Sequence, residues 1–82
     1  MKQALMMHIT VNTYADLREF TDGAASVDLE IDSGRTIEQV LTRLAIPRER
    51  TKIIFINGRV AEIESELRGG DRVDLFSAIG GG

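Results

Sequence analysis

Residues 26–46, SVDLEIDSGRTIEQVLTRLAI, decide the fold of this chain of 82 residues. In the first third of the stretch, apolar residues alternate strictly with polar and acidic ones; the apolar set is Val27, Leu29 and Ile31. A period of two residues is typical of a β-strand that buries one face and exposes the other to water. Residues 26–32 are therefore predicted to form a half-exposed strand.

The rest of this stretch has the period of an amphipathic helix. After the break at Ser33-Gly34, apolar residues recur at spacings of three and four: Ile37, Val40, Leu41 and Leu44. Thr36 with Gln39 three residues later fits a capping box at the helix start. The helix must end by Ile46, because Pro47 disfavours a helical conformation in the residue before it.

The same kinds of pattern predict the elements before and after this stretch. Asn57-Gly58 between two apolar runs is a strong signal for a two-residue β-hairpin turn. Strands are predicted at residues 6–14, 53–56, 59–61 and 72–77, a short helical turn at 15–20, and a loop with a helical turn at 62–68. One helix and one mixed sheet of four to five strands make a two-layer α+β domain.

Composition excludes several classes of protein. The chain has no cysteine, which removes disulfides, thiol catalysis and cysteine-bound metal clusters. Its net charge of -3 argues against a protein that binds the phosphate backbone of nucleic acids, so no nucleic-acid partner is expected. No apolar run approaches the ~20 residues of a membrane span, and no leader opens the chain. We expect a cytoplasmic protein with no membrane partner, no metal and no cofactor of its own.

The C-terminal residues Gly80, Gly81 and Gly82 form the sharpest functional signal. A glycine run is slender and conformationally free, which suits a chain end that enters another protein's active-site channel. The only reactive group that such a tail offers is its terminal carboxylate, which a partner could adenylate with ATP. The alternative is a flexible terminus without function.

Other polar residues offer little chemistry. His8 is the single histidine and is predicted to lie on the wet face of the first strand. Glu62, Glu64 and Glu66 lie at alternate positions of a predicted loop. General acid–base catalysis needs carboxylates in different environments, and a solvated loop gives all three the same environment. Gly69-Gly70-Asp71 lacks the lysine of a phosphate-binding loop.

An apolar excess on the sheet predicts a contact surface. Residues 53–56 are apolar on both strand faces, and we expect Phe55 and Phe76 to face outward while Ile54 and Ile56 face the helix. Exposed apolar patches usually mark interaction sites. The alternatives are that a terminal segment folds over this face, or that this strand is central and covered on both sides.

Four segments together resemble the ubiquitin-like β-grasp sulfur carriers of the MoaD/ThiS type, which include the molybdopterin synthase small subunit and the thiamine-biosynthesis sulfur carrier. The segments span the chain: residues 14–19 (YADLRE), 56–60 (INGRV), 67–73 (LRGGDRV) and 76–82 (FSAIGGG). The resemblance implies a β-grasp domain at residues 1–79 and a flexible glycine tail at 80–82.

The resemblance also implies roles for individual residues. Gly82 would be adenylated by a ubiquitin-activating-type (E1-like) enzyme and converted to a thiocarboxylate, and Gly80 and Gly81 would let the tail enter partner sites. Phe55, Phe76 and Ile79 would contact partners: the adenylating enzyme and a sulfur-accepting synthase subunit. The chain itself would not be an enzyme.

Several alternatives stay open from the sequence. Molybdopterin-type members often carry prolines before the tail, where this chain has Ser77-Ala78, whereas residues 14–19 favour that branch over the thiamine branch. A ubiquitin-like modifier attached to lysines through Gly82 needs the same tail. A plain interaction module would use the sheet face alone.

Overall fold

The elements follow the predicted order along the chain. The computed structural model describes residues 6–77. The strands are β1 (Met6–Thr13), β2 (Ser26–Asp32), β3 (Thr51–Ile56), β4 (Arg59–Ala61) and β5 (Arg72–Ser77). The main helix is α1 (Ile37–Leu44), and 3₁₀ segments lie at Ala15–Thr21 and Arg48–Arg50. The second of these 3₁₀ segments carries no apolar pattern, and the sequence did not predict it.

The five strands form one mixed sheet in the order β2-β1-β5-β3-β4. Strand β5 pairs in parallel with β1 and antiparallel with β3, and the two hairpins pair antiparallel. The last strand therefore lies in the middle of the sheet. This confirms the predicted α+β class and the β-grasp arrangement of a mixed sheet on one main helix.

The strict alternation of the strands builds the core on one face of the sheet. Val11, Val73 and Leu75 are fully buried there, opposite the fully buried helix residues Ile37 and Val40. The cluster is completed from other strands, loops and α1 by Met7, Ile9, Leu17, Ile31, Leu41, Ile46, Ile54 and Leu67. Burying a leucine or isoleucine stabilises the fold by about 1.5–3 kcal/mol relative to exposure.

The start of α1 differs from the prediction. Thr36 is the N-cap residue, but its side chain makes no capping hydrogen bond, so the predicted capping box is wrong. Instead, the amides of Ile37 and Glu38 donate to the carbonyls of Ser65 and Ile63, each at 3.1 Å. The loop at residues 62–68 contains a turn at residues 63–64, where the Ser65 amide donates to the Glu62 carbonyl at 3.0 Å, and the carbonyls of this turn satisfy the free amides of the helix start.

The end of α1 agrees with the prediction. The helix ends at Leu44, and Ala45 takes a left-handed conformation with φ 59°. The amide of Ile46 then donates to the Leu41 carbonyl at 2.8 Å. This bond closes the helix before Pro47, as a Schellman-type end does.

Asn57 locks the β3–β4 turn to the start of β5. Asn57 and Gly58 both have positive φ, 52° and 82°, as a tight hairpin turn requires. The Asn57 side chain donates to Asp71 Oδ1 and accepts from the Arg72 amide, both at 2.9 Å. Its own amide donates to the Arg72 carbonyl at 2.8 Å. The asparagine thus sets the register between β3 and β5.

Replacing this residue should destabilise the fold. The Asn57→Ala variant loses two side-chain hydrogen bonds and places alanine at positive φ, so we expect a loss of about 2–4 kcal/mol in the free energy of unfolding. Urea unfolding measures it. The control Asn57→Gly keeps the left-handed conformation and should lie between the alanine variant and the wild type. An alanine variant as stable as the wild type would contradict the register role.

Candidate functional site: the outer face of the sheet

The face of the sheet opposite α1 is the outer face, and it carries the two predicted phenylalanines. Ile54 pairs with Leu75 and is 6% exposed, whereas Phe55 and Phe76 point to the opposite side and are half-buried. Ile56 packs against the core. The predicted phase of β3 and β5 is therefore confirmed.

Three aromatic rings meet on the outer face and form what we call the aromatic platform: Tyr14, Phe55 and Phe76. Phe76 stacks on Tyr14 with ring centroids 4.4 Å apart and planes 6° apart. Phe55 meets Phe76 edge to face at 5.7 Å and 85°. Each such pair contributes about 0.5–1.5 kcal/mol beyond its buried area. The platform is thus a rigid apolar surface that solvent still reaches.

Two aliphatic residues extend the platform and were not named from the sequence. Val60 is 72% exposed and pairs with Phe55, and Ile53 is 44% exposed and pairs with Phe76. The signal for Val60 was present, because a two-residue turn at Asn57-Gly58 places residue 60 opposite residue 55. Ile53 lies two residues before Phe55, so the same strand alternation places it on the outer face.

A largely buried carboxylate holds the tyrosine of the platform. Asp74 Oδ1 accepts hydrogen bonds from Asn12 Nδ2 at 2.8 Å and from the Tyr14 hydroxyl at 3.1 Å. Arg72 Nε lies 3.6 Å from Asp74 Oδ2. Burial raises the pKa of Tyr14, and the bond to Asp74 raises it further. The tyrosine therefore stays a protonated donor at neutral pH, and its ring is fixed against Phe76.

The predicted tail lies outside the described residues. This holds for Ile79, which was predicted to contact partners, and for Gly80, Gly81 and Gly82. Strand β5 ends at Ser77, immediately after the platform residue Phe76. The chain segment that leads to Gly82 therefore begins beside the platform.

The other polar candidates are solvated, as predicted. The His8 side chain is 76% exposed and its Nε2 lies 3.3 Å from Glu30 Oε2. Glu62, Glu64 and Glu66 are exposed. Between residues 6 and 77, no three histidine or carboxylate side chains lie close enough to hold a metal ion. No helix in that range is long and apolar enough to cross a membrane.

Solved structures with the same fold include three archaeal proteins. Small archaeal modifier protein 1 of H. volcanii is 21% identical with a TM-score of 0.72, over 85% of this chain and 95% of its own. The Methanosarcina acetivorans protein of the same name is 22% identical with a TM-score of 0.70, over 95% and 99%. Molybdopterin converting factor subunit 1 of Pyrococcus furiosus is 20% identical with a TM-score of 0.72, over 87% and 97%.

At this level of identity, these likenesses show the fold alone. No curated protein sequence matches the chain closely enough to count as a relative. The model of one protein family, however, matches residues 11–82, which is almost the whole chain and includes the terminal glycines. The chain therefore belongs to the ThiS family.

Proposed function

We propose that this chain is a sulfur carrier that works through the carboxylate of Gly82. The carboxylate attacks the α-phosphate of ATP in the site of a ubiquitin-activating-type enzyme, and pyrophosphate leaves. Sulfide from a donor then displaces AMP from the mixed anhydride and leaves a thiocarboxylate. The observation that carries this proposal is the ThiS family match, which runs through β5 to Gly82.

The chemistry in this proposal belongs to the partners. A carboxylate is a poor electrophile until it is adenylated, and in this proposal the activating enzyme supplies the ATP site for that step. Sulfur held on a backbone carboxylate needs no thiol, which agrees with a chain that has no cysteine. The sulfur would pass to a synthase subunit that builds molybdopterin or the thiazole of thiamine.

The aromatic platform supplies the docking surface in this proposal. Its rings are preorganised by each other and by Asp74, so a partner loses little side-chain entropy when it binds them. Val60 adds exposed apolar area beside them. Aromatic anchors surrounded by smaller contacts are typical of the residues that dominate binding energy.

A ubiquitin-like modifier is the second candidate. Two of the solved structures with this fold are named as small archaeal modifier proteins. A modifier would use the same adenylated Gly82, but a lysine amine of a target protein would displace AMP. Isopeptide-linked conjugates of this chain in cells of its own organism would favour the modifier, and their absence together with thiocarboxylate formation would favour the carrier.

The first prediction from the proposed function concerns the product of activation. Incubation with the cognate activating enzyme, ATP and a sulfur donor should raise the intact mass by one oxygen-to-sulfur exchange. Intact-protein mass spectrometry measures it, and omission of ATP is the control. If no activating enzyme of the organism changes the mass, the carrier function is wrong.

The second prediction concerns the platform. Val60→Ser removes exposed apolar area without opening the core, so it should raise the KM of the activating enzyme while the free energy of unfolding changes by no more than about 0.5 kcal/mol. Phe55→Ala should raise KM further and cost less stability than the about 3–5 kcal/mol of a core phenylalanine. Met6→Ser is the matched control. Met6 is 49% exposed, but it lies at the start of β1, whereas the platform residue Tyr14 follows the end of that strand. Equal KM values for Met6→Ser and Val60→Ser would count against the platform.

The third prediction separates the tail from the fold. Deleting Gly81 and Gly82 should abolish thiocarboxylate formation and change the free energy of unfolding by less than about 0.5 kcal/mol, because glycines have no side chain to bury. Gly81→Val should nearly abolish activation, because a β-branched side chain restricts the backbone and widens the tail. Normal activation of the valine variant would show that a slender tail is not needed.

A further inference from the structure

A network of charges ties three chain segments together at the end of β5. Arg50 Nη2 lies 3.0 Å from Asp16 Oδ2 and 2.9 Å from Glu19 Oε2. Its guanidinium also lies over the Phe20 ring, 5.3 Å from the centroid. Arg50 thus holds the 3₁₀ segment Ala15–Thr21 against the turn that leads into β3. Charge-assisted bonds of this length are the stronger class of protein hydrogen bonds.

The same network reaches the last residue of β5. Strand β5 contacts the 3₁₀ segment Ala15–Thr21, which carries Asp16. Hydrogen bonding to the Ser77 side chain is the main cause that lowers the pKa of the Asp16 carboxyl. Ser77 is 5% exposed, and across the sheet it pairs with Thr51, which follows Arg50. Residue 77 is therefore held from two sides, by a backbone partner and by a charged side chain.

The local structure on the β3 side is irregular. The pairing of β3 with β5 shifts between Thr51 and Ile53, so two residues of β3 span one step of β5. Within residues 6–77, Arg50 Nε and Thr51 Oγ1 are buried and have no hydrogen-bond partner. Bulges and unsatisfied polar atoms cost stability and concentrate near functional sites.

We infer that Asp16 and Arg50 form a clamp on Ser77 that fixes the point from which residues 78–82 reach the active site of a partner. This inference rests on the proposed function. A partner that docks on Phe55 and Phe76 holds its reactive site at a fixed distance from the platform. Five residues follow Ser77 up to and including Gly82, and extended chain covers at most about 3.3–3.6 Å per residue, so the reach of the tail from Ser77 is at most roughly 18 Å.

The clamp is a positioning device rather than a docking contact. If Ser77 moved freely, the same tail would start from a broader range of positions, and fewer of its conformations would place the carboxylate on ATP. The complex with the partner would then have to order Ser77 in every reaction cycle, and this loss of conformational entropy should slow adenylation about tenfold. We expect binding through the platform to change little, because Phe76 is positioned by its ring contacts with Tyr14 and Phe55.

Two variants test the clamp. Ser77→Ala removes the hydroxyl at nearly constant volume, and Asp16→Ala removes the carboxylate from an exposed residue, so both should fold. The control is Arg48→Ala, because Arg48 lies in the same 3₁₀ turn but pairs with Glu38 at 3.6 Å instead of with Asp16. Ser77→Thr keeps a hydroxyl, so its kcat, its KM and the order parameter of residue 77 should equal those of the wild type.

The measurements are the kcat and KM of ATP–pyrophosphate exchange by the activating enzyme and the ¹⁵N order parameter of the Ser77 amide. Both clamp variants should lower the order parameter and lower kcat about tenfold, with KM within about twofold of wild type. The control should change none of the three. An unchanged kcat, or a rise in KM alone, would overturn the clamp.

The proposed function and the clamp fail in different ways. If the wild type supports no exchange with any activating enzyme of its organism, the proposed function is wrong. The order parameter of Ser77 is measured on the free protein and does not depend on an enzyme. An order parameter that is the same in wild type and in both clamp variants therefore overturns the clamp by itself.

Discussion

The central position of β5 is the constraint on which the rest of the structure depends. This strand pairs in parallel with β1 on one side and antiparallel with β3 on the other. Its alternation sends Val73 and Leu75 into the core, where both are fully buried, and sends Asp74 and Phe76 to the outer face. A shift of one residue would exchange the two sets. Core packing therefore also fixes which residues of β5 belong to the platform.

The two faces of the sheet differ in composition and in what covers them. The inner face is apolar and closed by α1, whereas the outer face combines aromatic rings with one largely buried carboxylate, Asp74. A buried carboxylate costs free energy unless hydrogen bonds compensate for its lost hydration. Asn12, Tyr14 and Arg72 supply that compensation, and the bond to Tyr14 at the same time orients the ring on Phe76. The outer face can therefore be rigid without being covered by a second layer.

Spacing along the chain was sufficient for the strand faces, the helix and the hairpin turn, although the capping box predicted from the spacing of Thr36 and Gln39 does not form. The period of two placed Phe55 and Phe76 outward, the period of 3.6 placed α1, and Asn57-Gly58 placed the hairpin. It was not sufficient for contacts between distant segments. Tyr14 and Asp74 lie 60 residues apart, and alternation gives the face of a residue but not its neighbour across the sheet. The capping of α1 by loop carbonyls was missed for the same reason.

A carrier whose chemistry is performed by partners can contribute only binding and position. Binding energy from remote parts of a substrate is useful when it holds the reacting atoms in place, since a reacting group held in the right geometry reacts far faster than a free one. In the proposed function, the platform provides the binding and Ser77, held by Asp16, provides the starting point of the tail. Phe76 and Ser77 are consecutive residues of one central strand, so docking and positioning share a single rigid element. In this proposal, any partner that recognises the platform therefore finds Ser77, after which the tail begins, at the same place.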